Sequence, residues 1–529
     1  MVAVARPDHP LPADRAALGP GATLLLLLGV GLLLRVGGVL LFPSSHHPDE
    51  TYQVLEQAHR LAFGYGITPW EFRDGVRSLL VPYLLSKVFQ AAEPIFGSPL
   101  AMVAVVRSLL AGISLIGIAA VYRMGLRESR THALMAGLVV ATWFEFVYFA
   151  PRPLTEAMAC NFLLVALSLG SRPEAELSRR CMLGIGFALG TALMLRIHMA
   201  PGVAVLAVGV ARLHLRARWL PLILGSLPPV LLFGVADWIA WGSPFFSFVQ
   251  SVRINLVEDK ASAFGTTPWG FFIAQIYTKW TGALPVLLGL MVLRAPRSKL
   301  WVAVAVTMIA VHSIIPHKEY RFFFPAFSVL MVVAALGSAD LIALLRDRVT
   351  PRALRRLVGL VAVFWLATSF SLLFGQGLIR DWYKSRDLLR SADWMWAQPD
   401  LCGLLIYDYP WGQTGGYTYL HRNVPMYSMG LDRAAAQKAT DGFNYVMLNR
   451  SSIPDFAPDY VIGKCFGPGK DDDVCAIHRP RACIADIGVK PLLALDSMGE
   501  PAFETPTPEP YKGLRRPSPR EFGPWMPPL

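Results

Sequence analysis

"HHPDETYQVLEQAHRLAFGYGITPWEFRDGVRS" (His46–Ser78) follows almost directly on an apolar run, Leu24–Leu41. It carries His46, His47, Asp49, Glu50, Glu56, His59, Glu71, Arg73, Asp74 and Arg77. The whole chain is 54% hydrophobic and only 16% charged, against about 25% charged in a soluble globular chain. Such a chain reads as a membrane protein that gathers polar chemistry at the membrane surface. The formal charge of +12 would fit a nucleic-acid binder. Its Lys and Arg lie instead in short clusters between apolar runs, which reads as topology signal and excludes a nucleic-acid face.

A span needs about 20 mostly apolar residues. Candidate spans are 22–42, 100–122, 132–150, 154–171, 182–196, 199–211, 220–241, 281–293, 300–315, 322–345 and 357–374, about eleven in all. The stretch 182–211 is broken by Arg196, His198 and Pro201. Leu24–Leu41 is not read as a cleaved signal peptide: it contains Arg35, no small-residue cleavage site follows, and further spans come after it.

With residues 1–21 in the cytoplasm, the inside loops hold Arg123, Arg127 and Arg130; Arg172, Arg179 and Arg180; Arg212, Arg216 and Arg218; Arg294, Arg297 and Lys299; and Arg346, Arg348, Arg352, Arg355 and Arg356. Short basic loops on one side satisfy the positive-inside rule. The loop 43–99, the loop 242–280, the turn "HKEYR" and everything beyond about 376 then lie outside, in a periplasm or an organelle lumen. Counting Ser78–Phe96 as a span would invert all later loops. Pro82, Lys87 and Glu93 suit an interfacial amphipathic helix there. His47–Phe63 is expected to be a second surface helix, with Tyr52, Leu55, Ala58, His59 and Ala62 at helical spacing.

The chain divides into a transmembrane part, 22–375, and an outside domain, 376–505, ending in a Pro-rich tail, 506–529. "LLIYDYP" and "DYVIGKC" read as strands, so the outside domain is expected to be small and α+β. Cys402, Cys465, Cys475 and Cys483 all fall in it. Four cysteines on an oxidising side suggest two disulfides, with three connectivities open. A zinc site is the rival, although no CxxC spacing occurs.

Three polar clusters share the outside face. In "HHPDE", Pro48 turns the chain and a helix is expected to start near Asp49. The simplest role for Asp49 and Glu50 is to cap that helix. In "WEFRDGVRS", Trp70 can anchor at the interface, but Glu71 with Arg77 exceeds what an anchor needs. In "IIPHKEYRFFFP", His317, Lys318, Glu319 and Arg321 lie between two spans, where an outside turn should avoid basic residues. A cationic pocket for a phosphate explains the exception. A carboxylate base facing a cationic cluster at a membrane cleft is what transfer from a lipid-linked phosphosugar requires.

"HPDE…Q…E…H…FGYG…TPWEFRDGVRS" and "PHKEYRFFFP" resemble two signatures of the glycosyltransferase family that holds the Alg9-like and GPI-anchor α-mannosyltransferases (glycosyltransferase family 22), in look nearest its GPI third-mannose branch. "FGTTPWGFF" and "DWIAWGSP" resemble two weaker segments, so the resemblance spans residues 46–325. It implies an α-helical polytopic membrane protein of GT-C fold. It also implies a polyprenyl (dolichyl-type) phosphate mannose donor and an inverting transfer that forms an α-mannosidic bond. By the same resemblance Asp49 is the catalytic base with Glu50 beside it, and His317, Lys318 and Arg321 lie near the donor phosphate. His47, Gln53, Glu56, His59, Trp70, Glu71, Arg77 and Glu319 are expected to contact substrate. "FGTTPWGFF" lacks the His and the aromatics that the family carries after its Trp. The Ala/Leu/Arg-rich composition looks bacterial. The acceptor is left open between a glycolipid and a cell-surface glycan, and the location between a bacterial inner membrane and the endoplasmic reticulum.

Rivals are a transferase of arabinose, aminoarabinose or glucose, a transporter, and a non-catalytic scaffold. Transporters keep polar residues near mid-membrane, whereas here only Arg35, Glu145 and Arg196 interrupt the spans. The reading requires no cofactor. His46, His47, Asp49 and Glu50 could together hold a divalent metal, but Pro48 and their adjacency argue against a dedicated site.

Overall fold

The computed structural model describes residues 18–428, 440–456, 458–484 and 491–492. The cytoplasmic N-terminus expected at 1–21, apart from its last four residues, and the Pro-rich tail 506–529 lie outside the described residues.

Among the described residues, six helices are long and apolar enough to cross a membrane: Pro20–Leu41, Pro99–Leu126, Leu215–Trp241, Phe271–Arg294, Tyr320–Arg348 and Pro351–Gly375. Thr155–Gly170, Ile197–Ala211 and Lys299–Ile314 are shorter apolar helices. Tyr320–Arg348 lies innermost, with 72% of its apolar window buried against 17% for Pro351–Gly375. Arg35 is accommodated inside the first helix because its guanidinium donates to the carbonyls of Val140 and Ala141 at 2.8 and 3.0 Å, where the neighbouring helix ends before Trp143.

Two backbones approach closely where the sequence is smallest. A Cβ added at Gly186 would lie 1.9 Å from the Leu222 carbonyl oxygen, and one at Gly225 would lie 2.1 Å from that of Leu183. Only glycine permits that approach of helices Arg179–Leu195 and Leu220–Trp241. The first of them stops at Arg196, whose backbone is extended (φ −154°, ψ 116°), and the chain resumes as a helix at Ala200. The break expected around Arg196 and Pro201 is therefore real, and it lies beside the site.

On the polar side, Leu80–Phe96 is a 17-residue amphipathic helix that buries Leu80, Leu85, Phe89 and Ala92. The first-loop helix begins at Pro48 and runs to Phe63, with a π-helical stretch over Glu50–Leu55. Strands β1 (Leu404–Ile406), β2 (Met426–Ser428), β3 (Tyr445–Asn449), β4 (Val461–Phe466) and β5 (Val474–His478) form one mixed sheet in the order β2-β1-β3-β5-β4. β1 pairs in parallel with β2 and β3; β5 pairs antiparallel with β3 and β4. Cys465 and Cys475 face each other across β4 and β5 and are bonded, and Cys402 is bonded to Cys483.

The sheet is not a separate lobe. Tyr52, Leu55 and Ala58 of the first-loop helix share one apolar core with Phe89, Leu389, Ile406 and Tyr417. The helical repeat expected to cover the membrane surface thus covers the C-terminal domain instead.

Candidate active site

Asp49 opens the first-loop helix yet makes no capping hydrogen bond. Its carboxylate turns to Arg321, whose Nη2 donates to Oδ2 at 2.5 Å. Arg321 also donates to both oxygens of Glu319, at 2.6 and 3.1 Å, and reaches Glu156 at 3.1 Å. His47 lies between Asp49 (3.3 Å) and Glu319 (3.4 Å). One guanidinium therefore gathers three carboxylates from three parts of the chain. Its fork geometry allows this, and an ammonium would not replace it. Burial opposes ionisation of Asp49, but the Arg321 charge and the His47 hydrogen bond outweigh it and hold the carboxyl well below the usual carboxylate range. Glu319 is driven down in the same way.

Glu50 points elsewhere. It is fully buried and accepts from Arg152 at 3.0 and 3.1 Å, from Arg107 at 3.1 Å and from the His46 N–H at 2.6 Å. Burial resists its ionisation, and the two arginines restore it. These contacts fasten the loop to helix Pro99–Leu126 and to Arg152, so Glu50 is an anchor and not a partner of Asp49. His46 faces Tyr148, with Nδ1 2.9 Å from the hydroxyl. Of the four residues weighed as metal ligands, His47 and Asp49 face each other, whereas the His46 ring turns to Tyr148 and Glu50 to the two arginines.

Gln53, one turn after Asp49, donates to Glu71 at 2.8 Å. Burial and the Asp49 charge push the Glu71 carboxyl up, with Arg77 opposing. Trp70 stacks on Phe264, and Lys260 lies 4.2 Å over its ring. Gln53 and Arg77 line a cleft whose other walls come from Thr155, Arg196, Phe233 and Ser247. Asp237 of "DWIAWGSP" accepts from the N–H and hydroxyl of Ser247, which fixes that wall.

His317 and Lys318 serve the adjacent loop. His317 Nδ1 meets the Gly265 carbonyl at 2.8 Å, Lys318 Nζ donates to the Thr267 carbonyl at 2.8 Å, and the Thr267 N–H donates to Pro316 at 3.0 Å. The "HKEY" turn and "FGTT" are knitted together over the site. Glu319 raises the His317 pKa. Glu56 and His59 are not part of the cluster. Glu56 accepts from Ile67, Tyr417 and Thr418, and His59 meets His421 at 2.9 Å, so both lie at the junction with the C-terminal domain.

Glu156, Arg196, Arg107 and Arg152 were missed by the sequence reading as site residues. Arg196 had a visible signal, a cation inside an apolar run at a helix break. Glu156 and Arg152 sit in "PRPLTEAM" between two spans, a polar break that could have been read as a further surface cluster.

A bundle of long apolar helices that presents a carboxylate–guanidinium pair beside a cleft, against a small C-terminal sheet, has the architecture of a GT-C glycosyltransferase. The structure is similar to ArnT from Cupriavidus metallidurans bound to undecaprenyl phosphate, with a TM-score of 0.55 at 14% identity, covering 86% of this chain and 97% of that one. Residues 26–421 match the Alg9-like mannosyltransferase family, and the chain belongs to that family. Among its relatives are GPI mannosyltransferase 3 of Yarrowia lipolytica (25% identical; 78% of each chain covered) and mannosyltransferase APTG1 of Arabidopsis thaliana (23%; 79% of each). GPI mannosyltransferase 3 of Drosophila melanogaster is 26% identical, with 75% of this chain and 70% of the relative covered. The chain is an integral-membrane mannosyltransferase.

Proposed function

We propose that the enzyme moves mannose from a polyprenyl-phosphate mannose donor to the hydroxyl of a glycolipid or glycan, with inversion, forming an α-mannosidic bond. The observation that carries this reading is Asp49, held ionised by Arg321 within one helical turn of the cleft. The acceptor oxygen attacks the anomeric carbon and the C1–O bond to phosphate breaks with its electron pair. The acceptor proton passes to Asp49, and the lipid phosphate leaves. Arg321 orients Asp49, and Gln53, Trp70, Glu71 and Arg77 are proposed to line the sugar's place. The outside face is periplasmic or lumenal, with about eleven crossings, a count supported by the short basic loops.

Membranes containing the enzyme, or its Asp49→Asn variant, are incubated with radiolabelled mannosyl polyprenyl phosphate. Label should move into a glycolipid or glycan fraction only with the parent enzyme. Transfer from an arabinosyl, aminoarabinosyl or glucosyl donor but not from the mannosyl one would overturn the donor assignment.

A further inference from the structure

We infer that Arg77 and Arg196, rather than Lys318 and Arg321, bind the phosphate of the lipid-linked donor; this rests on the donor reading above.

The turn that looked like a phosphate site is already engaged. Arg321 is held by Asp49, Glu319 and Glu156. Lys318 gives its hydrogen bonds to the Thr267 and Pro316 carbonyls. A phosphate placed there would have to displace a carboxylate from Arg321 or break the knit between the two loops.

Arg77 and Arg196 both line the cleft. Arg196 is only 3% exposed, yet its Nη1 has no hydrogen-bond partner, and the Nε of Arg77 is likewise buried without one. Arg321 Nη1 also lacks a hydrogen bond, but it is ion-paired with Glu156 at 3.1 Å and does not line the cleft. A buried donor without an acceptor costs about 1–3 kcal/mol, more when charged, so such atoms mark a place where an acceptor belongs. Two guanidiniums sharing a cleft also repel. Burial and the Arg196 charge push Arg77 down to about 10, while Glu71, which would compensate it, is drawn toward its neutral form. An anion between the two arginines relieves both problems, and a phosphate matches their forks.

The surroundings fit a lipid phosphate better than a free one. Val81, Pro82, Leu195, Phe233 and Phe248 give the cleft apolar walls suited to the first isoprene units. Reaction geometry agrees. Arg196 reaches Glu156 at 3.5 Å, Glu156 reaches Arg321 at 3.1 Å, and Arg321 holds Asp49. The base and the leaving phosphate would thus lie at opposite ends of one ionic chain, with the sugar between them. This also gives the helix break at Arg196 a purpose: an unbroken helix would carry that side chain past the cleft.

Binding of polyprenyl phosphate, polyprenol and inorganic phosphate to the full-length enzyme in detergent, by microscale thermophoresis, tests the assignment. The parent enzyme should bind polyprenyl phosphate more tightly than either of the others. Arg77→Gln and Arg196→Gln should each weaken it at least about tenfold, the equivalent of one charge-assisted contact, with Lys318→Ala changing it less. If Arg196→Gln fails to fold, Arg77→Gln still decides. Normal binding by Arg77→Gln with loss in Lys318→Ala would return the phosphate to the turn and leave the donor reading intact. Equal binding of inorganic phosphate and the lipid would overturn the lipid assignment. Failure of the parent enzyme to bind polyprenyl phosphate would sink the donor reading itself.

Discussion

Arg321 and Asp49 are 272 residues apart in the chain and 2.5 Å apart in space. This pair decides what Asp49 can do: its carboxylate is not spent on capping the helix in whose first turn it lies. It faces a cation that fixes its direction and keeps it charged.

Asp49→Asn retains the shape but cannot take a proton. We expect normal insertion and a fall in turnover of at least about 100-fold, the lower end for a lost general base. Single-turnover rates with labelled donor measure it. Near-normal rates would reduce Asp49 to a partner of Arg321.

Arg321→Gln should move the acid limb of the pH–rate profile upward. As the proposed base Asp49 would act when ionised, and Arg321 is the chief influence lowering its pKa against the cost of burial. The parent enzyme therefore keeps its activity as pH falls, down to well below the ordinary carboxylate range. Without the guanidinium, protonation sets in at higher pH, and activity at pH 5–6 falls relative to pH 8. An unmoved limb would show that another group sets it.

Glu50→Gln should act on stability before catalysis. It strands Arg107 and Arg152, both about 4% exposed, without their carboxylate. Removing one partner of such a buried pair costs about 3–5 kcal/mol. Thermal melts in detergent should show a clear drop, while the residual folded enzyme keeps an unshifted pH profile. A variant as stable as the parent would refute the anchoring role.

His59 makes stability depend on pH. Burial lowers its pKa to about 3, and the His421 charge adds to this. It is thus neutral in the fold but protonated in the unfolded chain below about 6.5. Its contribution is complete above that value and lost as pH falls toward 3, by up to about 1.4 kcal/mol per pH unit. His59→Gln should flatten the decline in melting temperature between pH 7 and 5. An unchanged slope would assign the decline elsewhere.

Cysteine labelling tests the sidedness. With Cys160 and Cys181 replaced, Ser451→Cys should react with an impermeant reagent from outside, and Ala175→Cys only after the membrane is opened. Both positions are exposed, so burial cannot protect them. The reverse pattern would invert the topology.

The sequence made some of this legible and left some hidden. Asp49 stood out because five ionisable or helix-breaking residues follow an apolar run, and local patterning alone reveals that. The break at Arg196 was legible as punctuation but not as a site, because its meaning comes from the Gly186–Gly225 approach that sets the cleft wall. The roles of Glu50, Glu56 and His59 were misplaced for one reason: each is defined by a partner 57 to 362 residues away. Charge in a motif shows that a partner is needed, not where it lies. The same holds for the cysteines, whose pairing followed only once β4 and β5 were in register.

The junction at Glu56 has a consequence for how the enzyme is made. Its carboxylate emerges early in synthesis, yet three of its four hydrogen bonds come from Tyr417 and Thr418, more than 360 residues later. Until those residues arrive and settle, Glu56 keeps only its bond from Ile67, and Tyr52, Leu55 and Ala58 lack the cover of Leu389, Ile406 and Tyr417. The first-loop helix is therefore finished by residues made after the last long apolar helix, Pro351–Gly375, and this junction has to wait for them.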